Sequence, residues 1–283
     1  VRLLVTADLH FNHPRSRSLA FDLIRQINRI EADLLLVVGD TSTADGDQLE
    51  SALEQIRFPG PRLFLCGNHE LWTRREDSYT LFIDELPERI EALGWHWLEG
   101  NPYIGKEISV VGSVGWYDYS FAPAWLDIPH RFYEAKISPG AAQHLGLEHL
   151  MGTDLTPESL LIFARWNDGK HVKLGRSDKV FLEERLSDLS QSLSQVPPNH
   201  RIVAAVHHVP FSELLPPRHT PAWDFARAYL GSERIGELLL RDPRITHVFC
   251  GHSHFQIEKR IGHLHAINVG SGYRLKRFWI GQI

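Results

Sequence analysis

Short apolar runs separated by amphipathic stretches organise the chain from its first residues. Residues 2–6 (Arg-Leu-Leu-Val-Thr) and Leu34 to Val38 are runs of strand length without polar alternation, the pattern of strands buried on both faces. Between them Ala20, Leu23, Ile24, Ile27 and Ile30 recur at helical spacing. Asp47 with Glu50 three residues on predicts a capping box, opening a helix whose apolar face is Leu49, Ala52, Leu53 and Ile56. Residues 62–66 predict a third strand. This β-α-β-α-β alternation implies parallel strands with helical crossovers, where ligands gather beyond the carboxyl ends of the strands. Asp8, Asp40 and Asn68 fall at those three ends.

Past a predicted helix over 78–93, Ile104, residues 108–111 and Val114 suggest β structure broken by glycines. Residues 116–178 show no period and hold Trp116, Tyr117, Tyr119, Phe121, Trp125 and Trp166. The reading is a single domain over 1–283 with an insertion, or cap, at about 116–178 that covers the sheet edge. Its aromatics either stack on a substrate base or pack the insertion onto the core, and packing is the commoner use. Order returns with Asp178 as a predicted N-cap and Leu182, Leu186, Leu189 and Leu193 on one face. Residues 201–206 and 246–250 predict further strands. The tail, 256–261, 264–269 and 275–280, alternates like antiparallel strands.

Composition narrows the class without naming it. With 43% hydrophobic and 23% charged residues, the 283-residue chain has the profile of a globular protein able to bury a large core. No apolar run approaches the length of a membrane span, and residues 1–6 lead straight into Asp8 and His10 with no secretory pattern, so the expectation is a cytoplasmic protein without a membrane partner. Two cysteines, Cys66 and Cys250, are too few for a disulfide framework. A net charge of −5 gives no global attraction to nucleic acid. The count that stands out is 17 histidines, several in ordered pairs.

Those pairs share one placement, directly after apolar runs. In extended backbone residues two apart share a side, so Asp8 with His10, and His252 with His254, can each address one ion if the strand continues. Taken singly, an aspartate after a strand is more often a turn or cap residue, and a histidine there a satisfied polar group. Six such placements in order along one predicted sheet edge favour a metal centre instead.

At this conjunction the chain resembles the calcineurin-like metallophosphoesterase superfamily. Its pattern D-x-H, G-D, G-N-H-E, H, G-H-x-H is matched by Asp8-Leu9-His10, Gly39-Asp40, Gly67-Asn68-His69-Glu70, His207 and Gly251-His252-Ser253-His254. The resemblance implies a four-layer α/β/β/α sandwich of two mixed β-sheets flanked by helices, with a dinuclear metal site at the carboxyl edge. It implies one ion on Asp8, His10 and His254, another on Asn68, His207 and His252, and Asp40 bridging. Mixed carboxylate, amide and imidazole donors suit Mn²⁺, Fe²⁺ or Zn²⁺. His69 is implied as the catalytic group that protonates the leaving oxygen or steadies phosphoryl charge during in-line attack by a metal-bridging hydroxide. His208 competes with His207 for the ligand position, and His207 is favoured because it directly follows the apolar run.

Gly39-Asp40 is followed by Thr41-Ser42-Thr43-Ala44, so the aspartate and arginine of the longer protein-phosphatase motif are missing. The pattern looks more like the phosphodiesterase and phosphohydrolase branches, with a small phosphodiester or nucleotide-type substrate. A phosphomonoesterase or nuclease of the same fold is the alternative, nucleic acid being less favoured, and a non-catalytic metal-binding scaffold is a third reading. Arg15, Arg17, Arg74 and Arg75 follow motif residues and either reach a phosphate or are simply solvated; solvation is the commoner case, and they are left out of the site.

Overall fold

Both faces of the apolar runs are covered, which is why they carry no polar alternation. The computed structural model describes residues 1–283 except Glu76 and Arg218. In it β1 (Arg2–Thr6), β2 (Leu34–Val38), β3 (Arg62–Leu65) and β4 (His96–Trp97) run parallel. The second sheet contains β5 (Tyr103–Ile104), β6 (Ile108–Ser113), β7 (Arg201–Val206), β8 (Ile245–Cys250), β9 (Ile257–Ile261) and β10 (Leu264–Asn268) in the order β5-β6-β7-β8-β10-β9. The last strand, β11 (Phe278–Gln282), returns to the first sheet as the antiparallel neighbour of β1.

Alternate residues divide between layers. Leu3, Val5, Leu34, Leu36 and Leu63 meet Val110, Val203, Ala205 and Phe249 between the sheets. Leu4, Leu35, Val37 and Phe64 face outward, where Leu23, Ile24 and Ile27 of helix Pro14–Ile27 belong to the same cluster. On the far side Val111, Ile202 and Ala204 join Phe181, Leu182 and Leu189 of helix Asp178–Gln195. The result is the α/β/β/α sandwich of two mixed sheets. Burying each such Leu or Val contributes about 1.5–3 kcal/mol relative to exposure, so the strands are held from both sides.

Local expectations fail where a buried or charged partner outcompetes the local one. Asp47 sits at the N-cap of helix Gln48–Glu54 but makes no side-chain cap bond, and Glu50 instead accepts from Arg89 Nε at 2.6 Å. A charge-assisted bond outweighs the reciprocal cap. The cap of helix Asp178–Gln195 is Ser177; Asp178 turns inward, accepting from Trp116 Nε1 at 2.8 Å and from the Tyr119 hydroxyl while pairing with Lys136 Nζ at 2.6 Å. Buried indole and phenol donors need an acceptor, and this carboxylate supplies it. The predicted helix over 78–93 contains a wide π turn at Leu81–Glu85. Pro87 follows the turn after one intervening residue and has no N–H for the Ile83 carbonyl, a mismatch that a wider turn accommodates.

Only β9 and β10 of the tail form the expected hairpin, because β11 finds an open edge beside β1. Residues 116–177 run as short helices and turns, with Trp116, Tyr117 and Phe132 fully buried. Most aromatics of the segment therefore pack; Trp125 is exposed and Trp166 half-buried. Among the described residues no helix is long and apolar enough to cross a membrane.

Candidate active site and metal centre

The loops after β1 and β2 continue to pair once the strands have ended. Asp8 N donates to Gly39 O at 3.0 Å, His10 N to Asp40 O at 2.8 Å and Phe11 N to Thr41 O at 2.7 Å. Asp8, His10, Asp40, His252 and His254 all hold positive φ, five of the eight non-glycine residues among those described that do so. Such backbone costs about 1–3 kcal/mol per residue and persists only where surrounding contacts enforce it. The extended D-x-H and H-x-H geometry expected from the sequence is thus corrected: each pair converges through left-handed turns, not strand alternation. Close approach enforces glycine at 67, where a Cβ would collide with the Asp40 carboxylate.

These turns bring donors together in two groups that share Asp40. Asp8, His10, Asp40 and His254 each offer an atom within 4.8 Å of the others, and Asp40, His207 and His252 do the same. His10 Nε2 and His254 Nε2 face each other at 2.9 Å; His254 Nε2 is 3.5 Å from Asp8 Oδ1. In the second group His207 Nε2 lies 3.3 Å from both Asp40 Oδ1 and Asn68 Oδ1, and 3.2 Å from His252 Nδ1. The outer nitrogens meet carbonyls: His207 Nδ1 to Val38 O at 2.9 Å, His252 Nε2 to Tyr229 O at 3.1 Å. With those nitrogens donating, the lone pairs point inward, as metal-ligating imidazoles do. Asp8 Oδ2 is buried without a hydrogen-bond partner. Converging lone pairs and an orphaned carboxylate oxygen fit a cation better than they fit one another.

The clustered groups also shift one another's pKa values. Burial works to raise the Asp40 pKa, yet His207, His69 and His10 hold it well below the ordinary carboxylate range. Burial lowers His10 well below the usual imidazole value, with the neighbouring His69 adding to the effect. For His207 burial also works downward, but Asp40 overcomes it and lifts the group to about 9. His208 turns the other way, its Nδ1 2.8 Å from Val114 O, and burial takes it to about 3.

Neither His69 nor Glu70 joins a donor group. Glu70 latches the Asp40 loop by accepting from Asp40 N (2.9 Å), Thr41 N (2.6 Å), Ser42 N (3.2 Å) and Gly67 N (2.7 Å). His69 donates its backbone N–H to Asp40 Oδ1 at 2.8 Å, holds Nε2 3.8 Å from Asp40 Oδ2, and stacks on Trp72 at 3.8 Å. Asn268, which opens an Asn-Val-Gly-Ser element over residues 268–271, donates Nδ2 to Gly251 O and Ser253 Oγ, both at 2.9 Å, and so steadies the His252–His254 loop.

A family model described as calcineurin-like phosphoesterase matches residues 1–256. The chain belongs to the calcineurin-like phosphoesterase family. Members are metal-dependent phosphoric ester hydrolases with dinuclear centres, and the two donor groups sharing Asp40 are this phosphoesterase's candidate for one. Among solved structures the chain is similar to a phosphopantetheinyl hydrolase from Mycobacterium tuberculosis, with TM-score 0.68 and 19% identity over 96% of this chain and 89% of that one. That likeness shows a shared fold. A dimetal phosphatase from Danio rerio aligns over 96% of this chain and 87% of its own with TM-score 0.47 and 11% identity. A Danio rerio transmembrane protein with metallophosphoesterase domain is 30% identical over 96 residues, covering 33% of this chain and 22% of that protein. The aligned part is thus under a quarter of that relative's length.

Several groups at the phosphoesterase site escaped the sequence reading. Tyr273 stacks on His10 at 4.4 Å and brings its hydroxyl 3.5 Å from His69 Nε2; the only hint was its place two residues after the Asn-Val-Gly-Ser element. Asp168, fully buried in the aperiodic segment, accepts from Asn68 Nδ2 (2.8 Å), Trp72 Nε1 (2.6 Å), Trp166 Nε1 (2.8 Å) and the Tyr117 hydroxyl (3.1 Å). One carboxylate therefore fixes the Asn68 amide with its oxygen toward His207 and pins two tryptophans that line the pocket over Asp40. In Asp168→Asn the new NH₂ meets donors, and one or two buried bonds are lost. The expected cost of about 2–3 kcal/mol lowers Tm by roughly 3–5 °C and alters tryptophan fluorescence. Unchanged melting and emission would contradict this role.

Proposed function

We propose that this phosphoesterase hydrolyses a small phosphodiester or nucleotide-type ester. In this reading Asp8, His10 and His254 hold one ion, Asn68, His207 and His252 the other, with Asp40 between them and His69 as the catalytic group. The observation that carries it is the sharing of Asp40 by two donor groups on the floor of a pocket of about 260 Å³ walled by Trp72 and Trp166. The donor types suit Mn²⁺, Fe²⁺ or Zn²⁺. When bound, two such ions lower the pKa of a water and neutralise charge on phosphoryl oxygens.

The chain's own residues supply orientation and the proton. Burial lowers the His69 pKa from the ordinary imidazole value and Asp40 and Asp168 offset only part of that lowering, on a ring that faces the pocket. His69 then protonates the departing oxygen, while Trp72 stacked beneath it fixes the ring plane. Residues 116–178 act as the cap: Trp166 gives the pocket a flat apolar wall suited to a base or aryl group, and Asp168 holds that wall in register with Asn68. Cys66 and Cys250, buried and free, suit a reducing cytoplasmic setting.

Chelator-treated protein should be inactive and regain turnover of bis(4-nitrophenyl) phosphate on reloading with Mn²⁺, Fe²⁺ or Zn²⁺, with the diester preferred to 4-nitrophenyl phosphate. A preference for the monoester overturns the substrate assignment. Metal uptake without turnover of either ester leaves the scaffold reading.

A further inference from the structure

A second cleft, of about 720 Å³, opens beside the pocket over Asp40 and shares His254 and Tyr273 with it. Arg15, Arg274 and Arg277 line this cleft, and no carboxylate does. Helix Pro14–Ile27 begins just after the Asp8–His10 loop and so delivers Arg15 to the rim. Arg274 and Arg277 lie on the loop beyond Gly270, which is clipped shut by Ser271: Arg277 N donates to Ser271 Oγ at 2.8 Å, and that hydroxyl donates to Arg277 O at 3.0 Å.

Among the described residues none of these three arginines pairs with a carboxylate, and all three face the same cleft. Elsewhere Arg89, Arg131, Arg185, Arg234 and Arg244 each pair with a carboxylate. Among the described residues the Arg15 and Arg274 guanidinium groups have no hydrogen bond or ion pair. Arg277 donates one Nη1 bond to the Gln256 side chain, and its Nε is buried without an acceptor. In a chain of net charge −5, three arginines converge on one cleft with nothing to neutralise them. Guanidinium forks of this kind match phosphate oxygens in shape and charge.

We propose that the cleft binds a second phosphate of the substrate, carried on the part of the molecule that extends from the scissile ester past His254 and Tyr273. The inference rests on the phosphoesterase reading above and narrows its substrate to a small polyanion of nucleotide size. A nucleic-acid polymer fits less well. The cleft has the size of a small-molecule site, whereas a polymer is tracked by cationic side chains spread along an extended groove.

The test compares two esters with the same scissile bond: thymidine 5′-(4-nitrophenyl phosphate) with and without a 3′-phosphate. On metal-loaded protein the 3′-phosphate should raise kcat/KM by about 10–100-fold, the range expected of charge-assisted hydrogen bonds. In the Arg15→Gln, Arg274→Gln double variant that ratio should fall toward 1. Misfolding or metal loss changes both rates and leaves the ratio alone. Calorimetry with thymidine 3′,5′-bisphosphate and thymidine 5′-phosphate measures the same preference without turnover. A cleft that prefers the bisphosphate in protein that hydrolyses neither ester would sink the functional reading and keep the binding site. A wild-type ratio near 1 in both assays, or a ratio that survives the double substitution, overturns the proposal. Single-stranded oligonucleotides cleaved far faster than the phosphorylated ester, with the same arginine dependence, would overturn its small-molecule form in favour of a polymer.

Discussion

Asp40→Asn is expected to lose both metal ions and, with them, turnover. Its carboxylate is the one group common to both donor clusters, with Oδ1 3.3 Å from His207 Nε2 and Oδ2 3.8 Å from His10 Nε2. An amide carries no charge to offset the repulsion between two cations, and its NH₂ offers one side of the site a donor where an acceptor is needed. The substitution is also a clean one. Asp40 holds φ of 55°, a region that asparagine tolerates, and an amide oxygen can still accept the His69 backbone N–H. Metal content by atomic spectrometry, with circular dichroism to confirm the fold, reads the result directly. Two bound ions with near-normal turnover would refute the bridging role.

His69→Asn should separate chemistry from binding. His69 lies outside both donor groups, and its structural tie to Asp40 is a backbone bond that the substitution preserves. Metal content should therefore stay intact while kcat falls by about 10²–10⁴-fold for an alkoxide leaving group. The loss should shrink for nitrophenolate, whose departure needs little protonation. Equal losses on both esters would assign the side chain to charge stabilisation on the phosphoryl oxygens instead of proton donation. Loss of metal would show that the ring, or its stack on Trp72, supports the ligands themselves.

Much of this molecule is legible in local pattern. Runs such as Leu34 to Val38 are apolar at every position because one set of side chains faces the other sheet and the alternate set faces helices. Helical spacing from Ala20 to Ile27 likewise marks one buried face of one helix. Each motif residue is placed by its adjacency to a strand end, so Asp8, His10, Asp40, Asn68, His207, His252 and His254 could be nominated without knowing any contact between them. The family resemblance nominated His69, and the four backbone bonds of Glu70 show that residue as support for the Asp40 loop.

Other features depend on partners distant in sequence, and there local pattern carries no signal. Neighbouring His207 and His208 address opposite surroundings, and the carbonyls of Val38 and Val114 decide which ring turns toward Asp40. Asp178 reads as a helix cap until Trp116 and Tyr119 arrive beside it. β11 alternates like a third hairpin strand, but pairs with β1 because that edge lacks a neighbour. Asp168 meets Asn68 across 100 residues, and Tyr273 reaches His69 across 204. By itself the sequence determined the buried strands, their ends and the kinds of donor available, since periodicity and adjacency are properties of contiguous chain, while the four-layer arrangement was implied by the family resemblance. Only the tertiary structure decided the left-handed turns, the pinned tryptophan wall and the arginine cleft. Their enforcing contacts, hydrogen bonds between separate loops and the burial of donors that must find acceptors, do not exist until the two sheets have packed.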